Sequence, residues 1–386
     1  MDLKDKQSTK KQSPYPILII GGYGNFGKKI TATLAKEANI QVIIAGRNKG
    51  KADALAKQLY TTSINPIKTL ALNINSADLK DQLSNSTAKL VIHTSGPFQA
   101  QGYNVAEACI DAGIHYIDLA DGRFFVEGFE SLNDQAQQQS VIAITGASSV
   151  PGLSSAVIEH YKSRFKVLQE LNYGIAPGNQ TERGEATVKA ILSYSGLNFK
   201  RWQNNRWQDV RGWQNTHRHK FPSPIGSRWL ANCDIPDLTL FQQHYPEFKS
   251  IRFYAGLELS FLHLGLWSLS YLARFKFIKN LARYSRPLTL MSTWVQQLGS
   301  DVGGMYMELK GLNHKNEPQR IIWNLIAESG DGPYIPTIAS VILAKKIAKG
   351  QLSETGAQAC VGLFTLEEFT KEVENWDIHQ QVLEND

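Results

Sequence analysis

Three cysteines, Cys109, Cys233 and Cys360, are spread over 386 residues, and none falls in a Cys-x-x-Cys pair. That spacing offers neither a disulfide framework nor a zinc module, and it predicts a reducing, cytoplasmic setting. The opening segment MDLKDKQSTKKQSPYP has no apolar core. It therefore does not read as a secretory signal, and residues 1–13 are expected to form a mobile tail. A P-loop, a nucleophile elbow and a zinc constellation are all missing. His217-Arg218-His219 has no carboxylate or cysteine nearby in sequence to complete a metal site, so no metal is expected.

What is present is ordinary globular composition, 42% hydrophobic and 20% charged, in a chain long enough for about two domains. The charge is unevenly placed. Residues 196–286 hold fourteen Lys and Arg against five acids, a net of +9 in a chain of net +6. Such a stretch can face nucleic acid, anionic lipid or solvent, and the solvated reading is preferred, with no nucleic acid expected.

From Pro16 to Val150 short apolar runs alternate with helix-like segments. The runs are ILII (17–20), QVIIAG (41–46), IKTLAL (67–72), KLVIHT (89–94), HYIDLA (115–120) and VIAITG (141–146). This order predicts an α/β fold, a doubly wound Rossmann-type parallel sheet of six strands. After Pro151 the texture changes. ATVKAILSYSG (186–196) reads as a strand, RWQNNRWQDVRGW carries an Asn-Asn turn signal, and 305–329 reads as a hairpin. A helix follows, with Pro336 near its start and Gly350 just past its end. The expected division is a dinucleotide-binding domain of 14–150 plus about 330–386, with an α+β substrate and dimerisation domain at 151–329 inserted between its parts.

Gly22-Tyr23-Gly24-Asn25-Phe26-Gly27 matches G-x-G-x-x-G between a strand and a helix. The first glycine allows the turn, the second lets a pyrophosphate approach the backbone, and the third lets the helix pack on the strand. The helix amides and dipole favour the phosphates. Where an NAD site carries an acid after its second strand, this chain has Arg47-Asn48. A guanidinium there suits an adenosine 2′-phosphate, so NADP(H) is expected, with NAD(H) as the alternative. Asn73 is expected either to bond the adenine or to be a turn asparagine. Ser95, Gly96, Pro97 and Phe98 end the fourth strand and are expected to pass along the nicotinamide half.

The segment LELSFLHLGLWSLSYLARFKFIKNLARYSR (257–286) is interrupted by Glu258 and His263 and then turns basic. It reads first as a core or dimer helix, then as a wall of an apolar pocket or an in-plane membrane contact.

GGYGNFG, AGRN, SGPFQAQGYNVAEACIDAGIHYIDLAD, GASSVPG, AESGDGPYIPTIASVILAKKIAKG and GAQACVGLFTLEEF, in that order, resemble the saccharopine dehydrogenase-like oxidoreductases. The resemblance implies a nucleotide-binding domain, a second domain with the substrate site and often the dimer contacts, and hydride transfer with NAD(P)H. It implies a homodimer and a small-molecule substrate. Members of that family reduce imines or act on other unsaturated substrates, lipid-like ones included. Where many relatives have Gly-Glu after the HYxDL strand, this chain reads DLADGR. A proton donor would assist hydride transfer, and Asp118 and Asp121 are the candidates, with Arg123 available for a substrate carboxylate. Each is also an ordinary strand-end or turn residue. The Tyr-x-x-x-Lys pairs Tyr245–Lys249, which contains Pro246, and Tyr306–Lys310, in a strand-like run, do not suit short-chain dehydrogenase chemistry. The alternatives to an oxidoreductase acting on an imine, amine or other unsaturated compound are a non-catalytic NADP sensor or scaffold and a membrane-peripheral reductase of a lipid-like substrate.

Overall fold

Ile17, Leu18, Ile19 and Ile20 are all buried, as in a strand covered on both faces. In the computed structural model, which describes residues 13–182 and 184–385, they belong to the central strand of a parallel sheet. All but the last residue of the expected tail at 1–13 lies outside the described residues. The strands are β1 (Tyr15–Ile20), β2 (Ile40–Gly46), β3 (Lys68–Ala71), β4 (Leu90–His93), β5 (His115–Asp118) and β6 (Ile142–Thr145). Between them run α1 (Gly27–Leu34), α2 (Lys49–Gln58), α3 (Leu79–Asn85), α4 (Asn104–Asp111), α5 (Arg123–Glu127) and α6 (Asn133–Gln138), and α7 (Ser154–Tyr161) follows β6.

The second unit begins with β7 (Val167–Ala176) and α8 (Glu185–Tyr194). It continues through β8 (Asn198–Gln203), β9 (Arg206–Arg211), β10 (His217–Lys220), β11 (Ser227–Asn232), α9 (Asp237–His244) and β12 (Ser250–Ala255). Two helices, α10 (Ser260–Arg274) and α11 (Ser285–Trp294), precede the hairpin β13 (Gly303–Leu312) and β14 (Pro318–Ala327). Then come α12 (Ile335–Ala348), β15 (Gly356–Ala359), α13 (Leu366–Glu372) and β16 (Ile378–Asn385).

The first sheet has the order β3-β2-β1-β4-β5-β6-β15, all parallel. Six of its strands match the expectation. The seventh, β15, is short and formed from GAQA, too weak a pattern to stand out in sequence. The strand order reverses between β1 and β4, which opens a crevice at their carboxyl ends. The second sheet is mixed, with the order β10-β11-β12-β7-β13-β14-β16 and the β8–β9 hairpin attached through β12. Asn204 and Asn205, at φ 54° and 58°, make the turn between β8 and β9 that the Asn-Asn pair signals. Ile19, Leu171 and Trp323 belong to one continuous core that spans both units.

Three expectations need correction. Residues 186–196 are not a strand. Residues 186–194 belong to α8, where tertiary packing overrides their β-branched content, with Val188 and Leu192, one helical turn apart, seated against Leu281 and Leu288. The first domain does not run to the end of the chain, because β16 pairs with β14 and returns 378–385 to the second sheet. Finally, α10 is not a core helix of this chain. It buries His263, Ser270 and Ala273 and leaves Phe261 and Leu272 exposed. As expected, Pro336 lies in the first turn of α12, and Gly350, at φ 66°, lies just beyond its end.

Candidate active site

The turn after β1 is built so that backbone meets backbone. Gly21 has φ 76°, and a Cβ at Gly27 would lie 2.1 Å from the Gly21 carbonyl oxygen and 2.8 Å from the Gly22 Cα. The absence of a side chain at Gly27 is what lets α1 close on the turn. A Cβ at Gly24 meets only the Gly21 carbonyl oxygen, at 3.0 Å, and otherwise open space. The amides of Asn25, Phe26 and Gly27 donate to no backbone acceptor among the described residues. An open glycine beside unpaired amides at a helix start is a cradle for a diphosphate.

Tyr23 and Asn48 act as struts. The Asn48 amide donates to the Tyr23 hydroxyl at 3.0 Å, and the Asn48 side chain caps α2 by accepting from the Lys51 amide at 3.0 Å. The Tyr23 ring fills the space beside Gly46, where a Cβ would lie 2.6 Å from its hydroxyl oxygen. These contacts fix the glycine turn against the β2–α2 loop. Between them Arg47 is exposed, with no carboxylate within ion-pair distance among the described residues. The Asn73 side-chain oxygen accepts from the Asn75 amide at 3.2 Å, which is the turn role.

The β4 loop reaches the same edge. The Ser95 hydroxyl lies against Gly21, where an added Cβ would come within 2.6 Å of it. The Gln101 side-chain amide donates to the carbonyls of Ser95 and Pro97, at 2.7 and 3.0 Å, and so holds Gly96 between them. Phe98 does not offer its ring to a ligand. It is buried between His93 and Phe125, at centroid distances of 5.1 and 5.2 Å.

The two candidate acids separate. Asp118 is fully buried and accepts from the Ala120 amide, the Thr145 hydroxyl and the Gly146 amide at 2.8–2.9 Å. It clamps β5 to β6 and lies behind the cavity wall, with burial pushing its carboxyl up to about 6. Asp121 lines the cavity, accepts from the Gln99 side-chain amide at 3.0 Å, and is raised above the usual carboxylate range by burial. Arg123 is not available to a substrate carboxylate. It is buried and bonds Glu127, Asp234, Thr239 and the Lys200 carbonyl, tying α5 to the second unit.

The cavity, of about 290 Å³, lies between the crevice edge and the second sheet. Phe26, Gln99 and Asp121 line it from the first unit, and Ile175, Tyr194 and Met305 from the second. Among the described residues it has no Lys or Arg. Sequence reasoning missed Tyr194. Its hydroxyl lies 2.9 Å from the Cys233 sulfur, and burial raises its pKa well above the ordinary value. The signal was hidden because Tyr194 ends the segment that reads as a strand but folds as α8. The second unit also closes on the glycine turn. The Asn25 side chain donates to the Glu182 carbonyl at 2.9 Å, and Lys28 pairs with the Glu182 carboxylate at 2.6 Å.

A glycine turn at the switch point of a parallel sheet, with an apolar cavity across the crevice, defines a dinucleotide-binding protein of two units. Residues 17–144 match the family model described as the saccharopine dehydrogenase NADP binding domain. A probable mitochondrial saccharopine dehydrogenase-like oxidoreductase of Arabidopsis thaliana is 26% identical over 156 residues, covering 37% of this chain and 34% of that protein. A Mus musculus saccharopine dehydrogenase-like oxidoreductase is 26% identical over 156 residues, covering 36% of each. Residues 17–144 therefore resemble the NADP-binding domain of the saccharopine dehydrogenase-like proteins, and the matched region spans about a third of these curated relatives. Apo saccharopine dehydrogenase (L-Glu forming) from Saccharomyces cerevisiae superposes with a TM-score of 0.67 over 96% of this chain and 100% of that one, at 13% identity, a likeness of fold.

Proposed function

We propose that the chain is an NADP(H)-dependent oxidoreductase that transfers hydride to or from an apolar, unsaturated small molecule held in the cavity between its two units. The observation that carries this reading is the cavity itself. It meets the carboxyl edge of the sheet, its walls are mostly apolar, and its charged groups among the described residues are the acids Asp121, Glu182 and Asp234, with no Lys or Arg. A substrate carboxylate would meet three acids and no Lys or Arg there among the described residues, so an apolar carbonyl, imine or alkene fits better than an amino acid.

The glycine turn fits a diphosphate and Arg47 an extra phosphate, and the nicotinamide ring of the cofactor would supply the hydride chemistry. The protein's own part is to position the substrate, exclude water and hold a proton. Gln99 orients the Asp121 carboxyl, and burial lets Asp121 keep a proton closer to neutral pH. Tyr194, which lines the cavity from the second unit, offers a second hydroxyl.

Arg47→Ala is expected to weaken NADPH binding by about tenfold to a hundredfold, the worth of one charge-assisted contact, and to leave NADH binding nearly unchanged. Calorimetry with both nucleotides checks this, and equal weakening of the two rejects the assignment. Asp121→Asn is expected to lower turnover by about a hundredfold or more while NADPH affinity is kept. Wild-type turnover in the reducing direction should fall as pH rises through the raised pKa of Asp121, because the donor is then deprotonated. NADPH oxidation against a panel of apolar aldehydes, imines and enoyl compounds reads both effects. Nucleotide binding with no oxidation against the whole panel would instead make the chain a non-catalytic sensor.

A further inference from the structure

Of the sixteen large apolar side chains most exposed among the described residues, nine lie within residues 261–298. They are not scattered. On α10, Phe261 and Leu272 are eleven residues apart, which returns them to one side of a helix, and Phe275 follows at its end. On α11, Pro287, Leu290, Met291 and Trp294 follow the spacing of a single apolar stripe, Trp294 is 83% exposed, and Leu298 lies in the turn just beyond. The inward sides are already used. Leu266, Ala273, Leu281 and Leu288 pack with Val188 and Leu192 of α8 in a small separate core. Thus α10, α11 and the link between them are anchored on one side and present a second apolar side that nothing among the described residues covers.

The charge on this surface selects its occupant. Residues 259–300 contain Arg274, Lys276, Lys279, Arg283 and Arg286 and no acidic residue. Arg286 pairs with Glu185, whereas Lys276, Lys279 and Arg283 have no carboxylate within ion-pair distance among the described residues. A second copy of the chain seated on this face would bring the two sets of cations together. A surface with exposed Trp, Phe and Leu amid unpaired Lys and Arg matches an anionic lipid headgroup layer, apolar groups entering below the phosphates and cations resting on them. We propose that the α10–α11 face docks in the plane of an anionic membrane.

No helix among the described residues is long and apolar enough to cross a bilayer, so the contact lies on the membrane surface. It has a consequence for the cavity, which rests on the function proposed above. Leu257, just before α10, and Tyr194 of α8 both line that cavity. Docking would therefore place its wall beside the lipid, a route by which an apolar substrate could enter without crossing water.

Flotation of the full chain with phosphatidylcholine vesicles, with and without phosphatidylserine, tests the docking independently of any activity. The wild type is expected to float with the anionic vesicles, poorly with the neutral ones, and less as salt is raised. Replacing Lys276, Lys279 and Arg283 together by Gln should weaken partitioning by about a hundredfold, at roughly one factor of five per cation. Phe277→Ser with Trp294→Ser should weaken it by at least about tenfold. Both positions are largely exposed, so the variants should keep the wild-type melting temperature. A wild type that stays at the bottom with anionic vesicles overturns the proposal. So does a charge variant that floats equally well, or a wild-type dimer that Trp294→Ser dissociates while no vesicle is bound.

Discussion

Gly24→Val is expected to reduce NADPH binding by about a hundredfold or more while leaving the fold intact. That loss equals about two charge-assisted hydrogen bonds of roughly 1.5 kcal/mol each. The valine side chain would project from the one glycine of the turn whose outer side is open, where its Cβ meets only the Gly21 carbonyl oxygen at 3.0 Å. The fold should therefore survive, but the amides of Asn25, Phe26 and Gly27 would be covered. Gly27→Val makes the contrast, because its Cβ would lie 2.1 Å from a backbone oxygen and the turn itself must move. Calorimetry and melting curves on the two variants separate a lost ligand surface from a lost fold. Full NADPH affinity in Gly24→Val would refute the diphosphate site.

Asp237 should contribute a stability that falls as pH rises from about 4 to about 7, the reverse of ordinary acid denaturation and opposite in sign to His93, His219 and His263, whose pKa values burial lowers. Its carboxyl is fully buried at the start of α9, accepts from the Ser154 and Tyr173 hydroxyls at 2.5 and 2.8 Å, and faces no cation there. Its other oxygen has no partner among the described residues. Burial pushes the group up to about 7 despite both hydroxyls. A carboxyl with a folded-state pKa above its unfolded value contributes fully below the unfolded value. That contribution is lost as pH rises through the folded one. The expected loss is on the order of a few kcal/mol, since a tenfold difference in proton affinity between the folded and unfolded chain is worth about 1.4 kcal/mol. Asp118, raised to about 6, adds to it with the same sign. Asp237→Asn keeps an acceptor for both hydroxyls and removes the charge. It should remove this falling component, so that its stability gains on the wild type's as pH rises and exceeds it above neutrality. Chemical denaturation across this range measures it, and parallel profiles for the two proteins would reject the assignment.

The first sheet was legible because its signals are local. ILII and QVIIAG are apolar without alternation because both faces of their strands are covered, and the glycine turn after ILII declares itself by composition. Arg47 could be placed for the same reason, since it directly follows the strand β2. Asp118 and Asp121 could not be told apart. Three residues separate them, yet one clamps two strands and the other faces the cavity, and only the path of the backbone through the β5 turn decides which. Arg123 was misjudged because its partners Asp234 and Thr239 lie more than a hundred residues away.

By itself, then, the sequence determined the glycine turn at which a dinucleotide is proposed to sit and the arginine that directly follows β2, because each depends on neighbours a few residues apart. Only the tertiary structure decided what faces that cofactor and what the basic segment presents to its surroundings. Tyr194 reaches the cavity because α8 packs on a remote cluster, and the apolar stripe of α11 is exposed because the opposite side already holds Leu288 against Val188 and Leu192. Such outcomes depend on which of two apolar sides finds a partner, and a linear pattern does not record that choice.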